Sequence, residues 1–326
     1  MTALRLVVFL VVVSCAFASG WYAQSWHHHN ITKDKVKIEK RTSYTLTSPL
    51  LDIEFPEGIS INQDPIPFRE KISDFVIQHT DGVRIRRISV YFRDLLDGPW
   101  FGINEGFEYD PASMMKVPTM VAWLKRAESN PKILKQTFLY DGKSDWTLAQ
   151  HFKPAKTLIP GHRYTVEELL HYMLSYSDNN SLKLLNANLK QDELTDVLAG
   201  MLVSITTRNG VNYKTIHGYS GFFRVLYNAS YLNREMSEKA LQLLRFEDFP
   251  LGISAGVPKG TVVASKFGET EQGGYKQLHE FGIVYHPKGA YILGIMTEGN
   301  DFNHQAEIIR NISDLAYNSA NVTSNH

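Results

Sequence analysis

The sequence predicts a mixed α/β (α+β) fold in which an antiparallel sheet is assembled from both ends of the chain, helices flank the sheet and a helical lobe is inserted between its halves. Residues 83–92 and 100–104 have the alternating pattern of strands, and residues 111–248 are mainly helical in period. Strand patterns return at 261–297. We expect a pocket where the lobe meets the sheet, because such junctions favour pockets.

The individual elements follow from local patterns. A helical pattern begins after Pro67, and the two strands that follow meet in a hairpin around Asp97 and Gly98. The clearer helices of the middle region cover 165–174 and 221–232. The last part of the chain is predicted to hold strands at 261–266, 280–285 and 291–297, a turn at 286–289 between the last two strands, and a closing helix over 303–317.

Composition excludes several classes of protein. Lys and Arg balance Asp and Glu at 34 each among 326 residues, so no basic excess is available for a nucleic acid partner. Cys15 is the only cysteine, so the folded domain has no internal disulfide, no cysteine-based zinc site and no cysteine nucleophile. We expect a monomer that needs no cofactor and no metal.

The N-terminal region has the layout of an export segment. Arg5 precedes an apolar run at 6–13 and small residues up to Gly20, so residues 1–20 are predicted to be a signal peptide or membrane anchor. Residues 16–18 suit cleavage by signal peptidase, while 12–15 loosely resemble a lipoprotein cleavage box. The protein is therefore expected to be periplasmic, extracellular or anchored to a membrane through its N-terminus.

Residues 21–62 form a predicted polar linker, and residues 63–320 a single catalytic domain. The linker contains three consecutive histidines at 27–29 and a short strand pattern at 50–54. The histidines could bind a metal, but no further ligands follow at helical spacing, so a solvated linker is the better interpretation.

Ser113 and Lys116 form the first constellation with chemical meaning. A helix places residues three apart on one face, so the Lys116 amine can reach the Ser113 hydroxyl. A serine needs a base to become a good nucleophile, and a lysine can serve only when burial or neighbouring cations keep it neutral. The spacing alone is weak evidence, because Ser129 and Lys132 have it too, with Pro131 indicating a helix end.

Two further motifs follow in the chain. Ser177-Asp178-Asn179 comes after a predicted helix, and Lys266-Phe267-Gly268 lies on a predicted strand. This ordered set resembles the penicillin-recognising serine enzyme family, and class A β-lactamases most closely, over about residues 67–317. The resemblance implies a β-lactamase/transpeptidase-like fold and a substrate that is a small-molecule β-lactam or a peptidoglycan peptide.

The resemblance also implies a role for each matching residue. It makes Ser113 the acylated nucleophile, Lys116 a candidate base and Ser177 a proton relay to the leaving nitrogen. The predicted substrate-binding residues are Asn179, which orients Lys116 and the substrate amide, Lys266, which attracts a substrate carboxylate, Gly268, which permits close approach to the strand, and Glu269, whose backbone N–H completes an oxyanion hole with that of Ser113.

Each motif has a structural alternative. Ser177, Asp178 and Asn179 could end one helix and cap the next, predicted at 181–189, and Asp178 is expected to be structural in either case. Lys266 could be a solvated strand residue.

Two departures from the family pattern bear on the chemistry. Phe267 stands where the family has a threonine or serine whose hydroxyl binds a substrate carboxylate. The Glu-x-x-x-Asn segment that provides a deacylation base is missing, since no acidic residue occurs between Asn209 and Tyr227. The nearest acidic residues are Glu193 and Asp196, expected too early and on a helix, and Glu235 and Glu238, expected too late and on the surface.

The sequence therefore predicts a serine hydrolase that cleaves a β-lactam amide through an acyl-enzyme on Ser113. One alternative is a D,D-peptidase or penicillin-binding cell-wall enzyme with slow deacylation. A second is a ligand-binding or envelope scaffold protein that has lost turnover.

Overall fold

The computed structural model describes residues 44–48, 68–95, 99–201, 203 and 205–320. The predicted signal or anchor segment, the histidine run, the 50–54 strand and the Asp97-Gly98 turn lie outside the described residues. No described helix is both long and apolar enough to cross a membrane.

The described residues form ten strands and eight α-helices. In chain order they are α1 (Arg69–His79), β1 (Ile85–Asp94), β2 (Trp100–Ile103), β3 (Glu108–Tyr109), α2 (Lys116–Ser129), β4 (Thr137–Leu139), β5 (Arg163–Thr165), α3 (Val166–Ser175), α4 (Asn179–Asn186), α5 (Gln191–Gly200), β6 (Thr206–Arg208), β7 (Val211–Thr215), α6 (Ile216–Tyr227), α7 (Arg234–Leu244), β8 (Val262–Gln272), β9 (Tyr275–His286), β10 (Gly289–Gly299) and α8 (Phe302–Ala320).

The main sheet has five antiparallel strands in the order β2-β1-β10-β9-β8. Strand β1 from the start of the domain pairs with β10 from its end, with Val90 opposite Ile295. The predicted sheet built from both chain ends is thus confirmed. Strand β8 lies at one edge of the sheet, where it is free to line a site.

Both faces of the sheet are buried, and the alternation along each strand assigns its side chains to two cores. In β1, Val90 and Phe92 pack with residues of α1 and α8, whereas Tyr91 packs with the helical lobe. In β10, Ile295 packs with the core formed by α1 and α8, and Met296 packs with the helical lobe. Successive side chains of a strand point to opposite faces, so one strand serves both layers.

Helix α2 runs through the centre of the helical lobe. Its residues from Lys116 to Leu124 are all buried, which is the pattern of a helix enclosed on every side. Helix α3 beside it begins with a capping box: the Thr165 hydroxyl accepts from the N–H of Glu168 (3.1 Å), and the Glu168 carboxylate accepts from that of Thr165 (2.7 Å).

Element boundaries differ from the predicted ones where turn chemistry decides them. Strand β8 runs to Gln272 and β9 starts at Tyr275, because Gly273 and Gly274 both adopt positive φ (59° and 81°) and form a two-residue hairpin. Helix α6 begins five residues before the predicted start at 221, because the Thr215 hydroxyl accepts from the N–H of Gly218 (3.1 Å) and caps the helix.

Glu238 is buried, with 3% of its surface exposed, so its predicted surface position is wrong. Its carboxylate accepts hydrogen bonds from the backbone N–H groups of Thr45 (2.9 Å), Leu46 (3.0 Å) and Thr47 (2.9 Å). Burial alone would raise the pKa of Glu238, but these three donors outweigh burial and lower it. Residues 44–48, inside the predicted 21–62 linker, are thereby packed on α7.

Replacing Glu238 with glutamine should lower the free energy of unfolding by about 2 kcal/mol, because a charge-assisted acceptor for three N–H groups is lost. Urea unfolding at neutral pH measures this effect. Since folding lowers the pKa of Glu238, its stabilisation is present above the pKa of an unfolded glutamate and is lost as the pH falls. The difference between wild type and variant should therefore shrink in acid. Exposed Glu235→Gln on the same helix is the control, and equal effects of the two substitutions would contradict the assignment.

Candidate active site

Ser113 lies on a short 3₁₀ turn, Ala112–Met115, that leads directly into α2. The turn is held at both ends. The Asp110 carboxylate accepts from the N–H of Ala112 (2.9 Å), and the buried Tyr219 hydroxyl donates to the carbonyl of Met114 (2.8 Å). Ala112 has a φ of 47°, an unfavourable conformation for a residue with a Cβ, and such strain persists only where the surroundings enforce it. The backbone before Ser113 is therefore fixed.

Lys116 is the first residue of α2, and its side chain is fully buried. Its Nζ lies 3.0 Å from Ser113 Oγ, 3.0 Å from Ser177 Oγ and 2.6 Å from the Ser177 carbonyl oxygen. The structure thus brings together the two serines and the lysine that the sequence singled out.

Burial lowers the pKa of Lys116 well below its ordinary value, and the nearby charge of Lys266 lowers it further. The carboxylates of Asp178, Glu247 and Glu269 oppose this effect only in part. A neutral amine has two N–H donors and one lone pair. Ser177 can accept both hydrogen bonds, one at its carbonyl oxygen and one at Oγ, which leaves the lone pair for the hydroxyl proton of Ser113.

The Ser177 loop combines a site role with a capping role. Ser177 has a φ of 54°, and its carbonyl accepts from both Lys116 and the Gln150 side chain (3.1 Å). Asp178 caps α4 by accepting from the N–H of Ser181 (2.8 Å), and it also accepts from the Thr157 hydroxyl (2.7 Å). Asp178 is thus a helix cap, as the structural alternative predicted, whereas the Ser177 side chain contacts Lys116.

The Asn179 side chain makes its hydrogen bond to another segment of the chain and not to Lys116, and its predicted role towards the substrate amide stays a prediction. Its amide donates to the carbonyl of Trp146 (3.2 Å), whereas the hydrogen bonds of Lys116 run to Ser113 and Ser177. The predicted orientation of Lys116 by Asn179 is therefore not a direct contact. Trp146 belongs to the connection between β4 and β5, residues 140–162, which we call the β4–β5 loop.

Lys266 is fully buried, so the alternative of a solvated strand residue is wrong. Its Nζ forms an ion pair with Glu247 Oε1 at 2.5 Å, and both side chains are almost completely inaccessible. Glu247 also accepts from the N–H of Phe267 (2.7 Å) and the hydroxyl of Ser265 (2.9 Å). The charge predicted to attract a substrate carboxylate is thus already balanced within the protein.

Gly268 allows the edge of β8 to contact the Ser113 turn. A Cβ at this position would lie 2.5 Å from the carbonyl oxygen of Pro111 and 3.0 Å from the nitrogen of Met114. The close neighbour that requires glycine is therefore the protein's own turn. This contact sets Glu269 beside the turn, and its N–H and that of Ser113 remain the predicted oxyanion pair.

The side chains on either side of Gly268 in β8, Phe267 and Glu269, form the wall of the site along this strand. Phe267 is buried and stacks on Phe249, with ring centroids 4.3 Å apart, so this wall is apolar where the family has a hydroxyl. Glu269 Oε1 accepts from the N–H of Phe152 in the β4–β5 loop (2.9 Å). Burial raises the pKa of Glu269.

The segment expected to lack a deacylation base forms a small hairpin, β6–β7, and β7 pairs with β3 just before the Ser113 turn. It contains no acidic residue after Asn209. Within the described ranges, no group of three or more His, Cys, Asp or Glu side chains is arranged to hold a metal ion.

Sequence reasoning missed Glu247, Tyr219 and Gln150. Glu247 lies between α7 and β8 and Gln150 lies in the β4–β5 loop, so neither belongs to a periodic pattern. Tyr219 is one of several aromatic residues on the buried face of α6. No sequence signal separates these residues from ordinary loop or core positions, because their partners are 18 or more residues away.

Comparison with known proteins shows the family and the fold. The model of the beta-lactamase enzyme family matches residues 67–320. The chain belongs to this family. The resemblance to penicillin-recognising serine enzymes and the predicted fold are thereby confirmed. No curated protein sequence matches the chain.

Solved structures with this fold include a beta-lactamase from Sphaerobacter thermophilus, which is 20% identical with a TM-score of 0.67 over 80% of this chain and 99% of that chain. A single-residue mutant of PBP-A, in an acyl-enzyme complex with penicillin G, is 20% identical with a TM-score of 0.66 over 79% of this chain and 98% of that one. A class A beta-lactamase from Mycobacterium abscessus is 20% identical with a TM-score of 0.65, over 77% and 100% of the two chains. At this identity the likeness establishes the family fold.

Gly268→Ala should slow the modification of Ser113 by a penicillin by between about tenfold and a hundredfold, because the added methyl displaces the Ser113 turn from β8. Mass spectrometry of the protein over time measures the rate. Gly106→Ala is the control, since a Cβ there would contact nothing within 4 Å. A variant that folds normally and reacts at the wild-type rate would show that the contact does not position the nucleophile.

Lys266→Met should move the acidic limb of the pH–rate profile for Ser113 acylation to higher pH. A lysine that acts as the base must be neutral. The charge of Lys266 lowers the Lys116 pKa, so removing that charge raises it. The double variant Lys266→Met/Glu247→Leu also removes the opposing carboxylate and should show a smaller shift. Profiles that coincide for all three proteins would argue against Lys116 as the base.

Proposed function

We propose that the protein is a metal-independent serine hydrolase that accepts an acyl group from an amide bond onto Ser113 and releases it slowly, in the manner of a penicillin-binding protein or D,D-peptidase. The observation that carries the proposal is the position of the Lys116 amine, within 3.0 Å of both Ser113 Oγ and Ser177 Oγ. A buried lysine of lowered pKa between two hydroxyls is suited to moving a proton from one to the other.

In the acylation step, neutral Lys116 takes the hydroxyl proton of Ser113 while Ser113 Oγ attacks the carbonyl carbon. The N–H groups of Ser113 and Glu269 stabilise the oxyanion. The tetrahedral intermediate collapses with cleavage of the C–N bond. The leaving nitrogen takes a proton from the Ser177 hydroxyl, which is restored from the Lys116 ammonium, so the lysine ends the step neutral.

Deacylation is the step for which the site is poorly equipped. The β6–β7 hairpin and the start of α6 provide no carboxylate to activate water. Lys116 is the base that lies within hydrogen-bonding distance of Ser113 Oγ. An acyl-enzyme that forms readily and hydrolyses slowly fits a penicillin-binding or peptidase role better than efficient destruction of an antibiotic.

A β-lactamase is the second candidate, and the same lysine favours it. Because Lys116 returns to its neutral form at the end of acylation, it is available to take a proton from water in the next step. The β-lactam class of substrate is supported by the relative PBP-A, whose structure contains an acyl-enzyme formed with penicillin G.

The deciding experiment uses residues 21–326 with a chromogenic cephalosporin, and combines stopped-flow absorbance with mass spectrometry of the protein. We expect a stoichiometric burst and a persistent adduct on Ser113. Ser113→Ala should remove the adduct, and Ser177→Ala should slow its formation by at least about tenfold. Ser129→Ala is the matched control, because Ser129 has the same spacing to a lysine at a helix end.

Sustained turnover that is lost in Ser113→Ala would favour the β-lactamase candidate. No adduct with a cephalosporin, a penicillin, an acyl-D-alanyl-D-alanine peptide or the primary amide of that peptide would overturn the proposal and leave the ligand-binding or scaffold alternative.

A further inference from the structure

The wall that β8 forms beside Ser113 carries more carboxylate charge than free ammonium charge. Its one lysine, Lys266, is neutralised by Glu247 at 2.5 Å inside the protein. Glu247 is in turn bound by the N–H of Phe267, which fixes the pair in place. An incoming anion would have to compete with a buried carboxylate that already holds this ammonium, and breaking a buried ion pair is strongly unfavourable.

Glu269 adds a second carboxylate to the same wall. It follows Gly268, whose Cα lies against the Ser113 turn, and its charge acts on Lys116. One oxygen, Oε1, accepts from the N–H of Phe152. The other, Oε2, is buried and has no hydrogen-bond partner in the described part of the chain. A buried carboxylate oxygen without a donor is costly, and a donor on the substrate that reached it would relieve that cost.

The other described side chains around this part of β8 are mainly aromatic rings. Phe267, Phe249 and Phe152 pack their rings together, so position 267 offers an apolar ring in place of the hydroxyl of the family. On the β4–β5 loop, the His151 ring lies tilted against Phe302, and both its charge and its backbone N–H lower the pKa of Glu269, against the larger effect of burial. The Lys153 amine donates to the carbonyls of Thr147 and Leu148.

We infer that Glu269 is a specificity-determining residue, and that the substrate presents a neutral hydrogen-bond donor or a protonated amine to β8 instead of a carboxylate. A peptide whose chain ends in an amide, or continues through an amide, meets this requirement. A substrate with a free carboxylate, such as a β-lactam or a D-alanyl-D-alanine peptide, meets it less well and is expected to acylate Ser113 more slowly. The inference rests on the proposed acyl transfer at Ser113.

Two matched peptides test it: an acyl-D-alanyl-D-alanine with a free carboxylate, and the same peptide as its primary amide. The readout is the rate constant for acylation of Ser113, followed by mass spectrometry and by release of the leaving group. The wild type should react at least about tenfold faster with the amide, because one substrate carries a like charge and the other a donor.

Glu269→Gln keeps the size of the side chain and removes its charge. It should raise the acylation rate with the carboxylate peptide by about tenfold and bring the ratio of the two rates towards one. Glu271→Gln is the control, since Glu271 is exposed and lies two residues further along the same strand. That variant should retain the wild-type ratio.

A wild type that prefers the carboxylate peptide, or a ratio that Glu269→Gln leaves unchanged, would overturn the inference while the proposed function stands. Failure of both peptides together with failure of an uncharged fluorophosphonate probe to modify Ser113 would overturn the proposed function, and the inference with it.

Discussion

The rest of the site depends on one constraint, which is the complete burial of the Lys116 amine between Ser113 and Ser177. A buried ammonium is unfavourable, and no carboxylate hydrogen-bonds this one directly among the described residues, so its pKa falls, which favours the neutral form that a base requires. The surroundings keep the amine in place. Helix α2 begins at Lys116 inside the core, and Ser177 adopts a left-handed backbone that aims its carbonyl at the amine.

The two buried lysines, Lys116 and Lys266, have opposite kinds of hydrogen-bond partner. Lys266 has a carboxylate partner at 2.5 Å and remains an ion pair, whereas Lys116 has hydroxyl and carbonyl partners. The field of Lys266 in turn lowers the pKa of Lys116. The charge of the structural lysine thus favours the neutral form of Lys116.

Local sequence patterns predicted an element well where each of its faces is uniformly buried or uniformly exposed. The strands of the sheet and helix α8 were found because alternation and helical period reflect burial. Boundaries were less accurate at the Gly273-Gly274 hairpin and at the Thr215 cap, where a turn or cap overrides hydrophobic pattern. Glu238 was misassigned because a charged residue on an amphipathic helix ordinarily faces water, and its three N–H partners lie about 190 residues away.

The sequence by itself determined the family, the order of the three motifs and the proximity of Ser113 to Lys116, because a spacing of three residues at a helix start fixes that distance locally. Only the tertiary structure decided the electrostatics. The pairing of Lys266 with Glu247, the second carboxylate at Glu269 and the donor from Phe152 all join segments that are distant in the chain. Charge and pKa depend on three-dimensional neighbours and on burial, and a linear motif records neither.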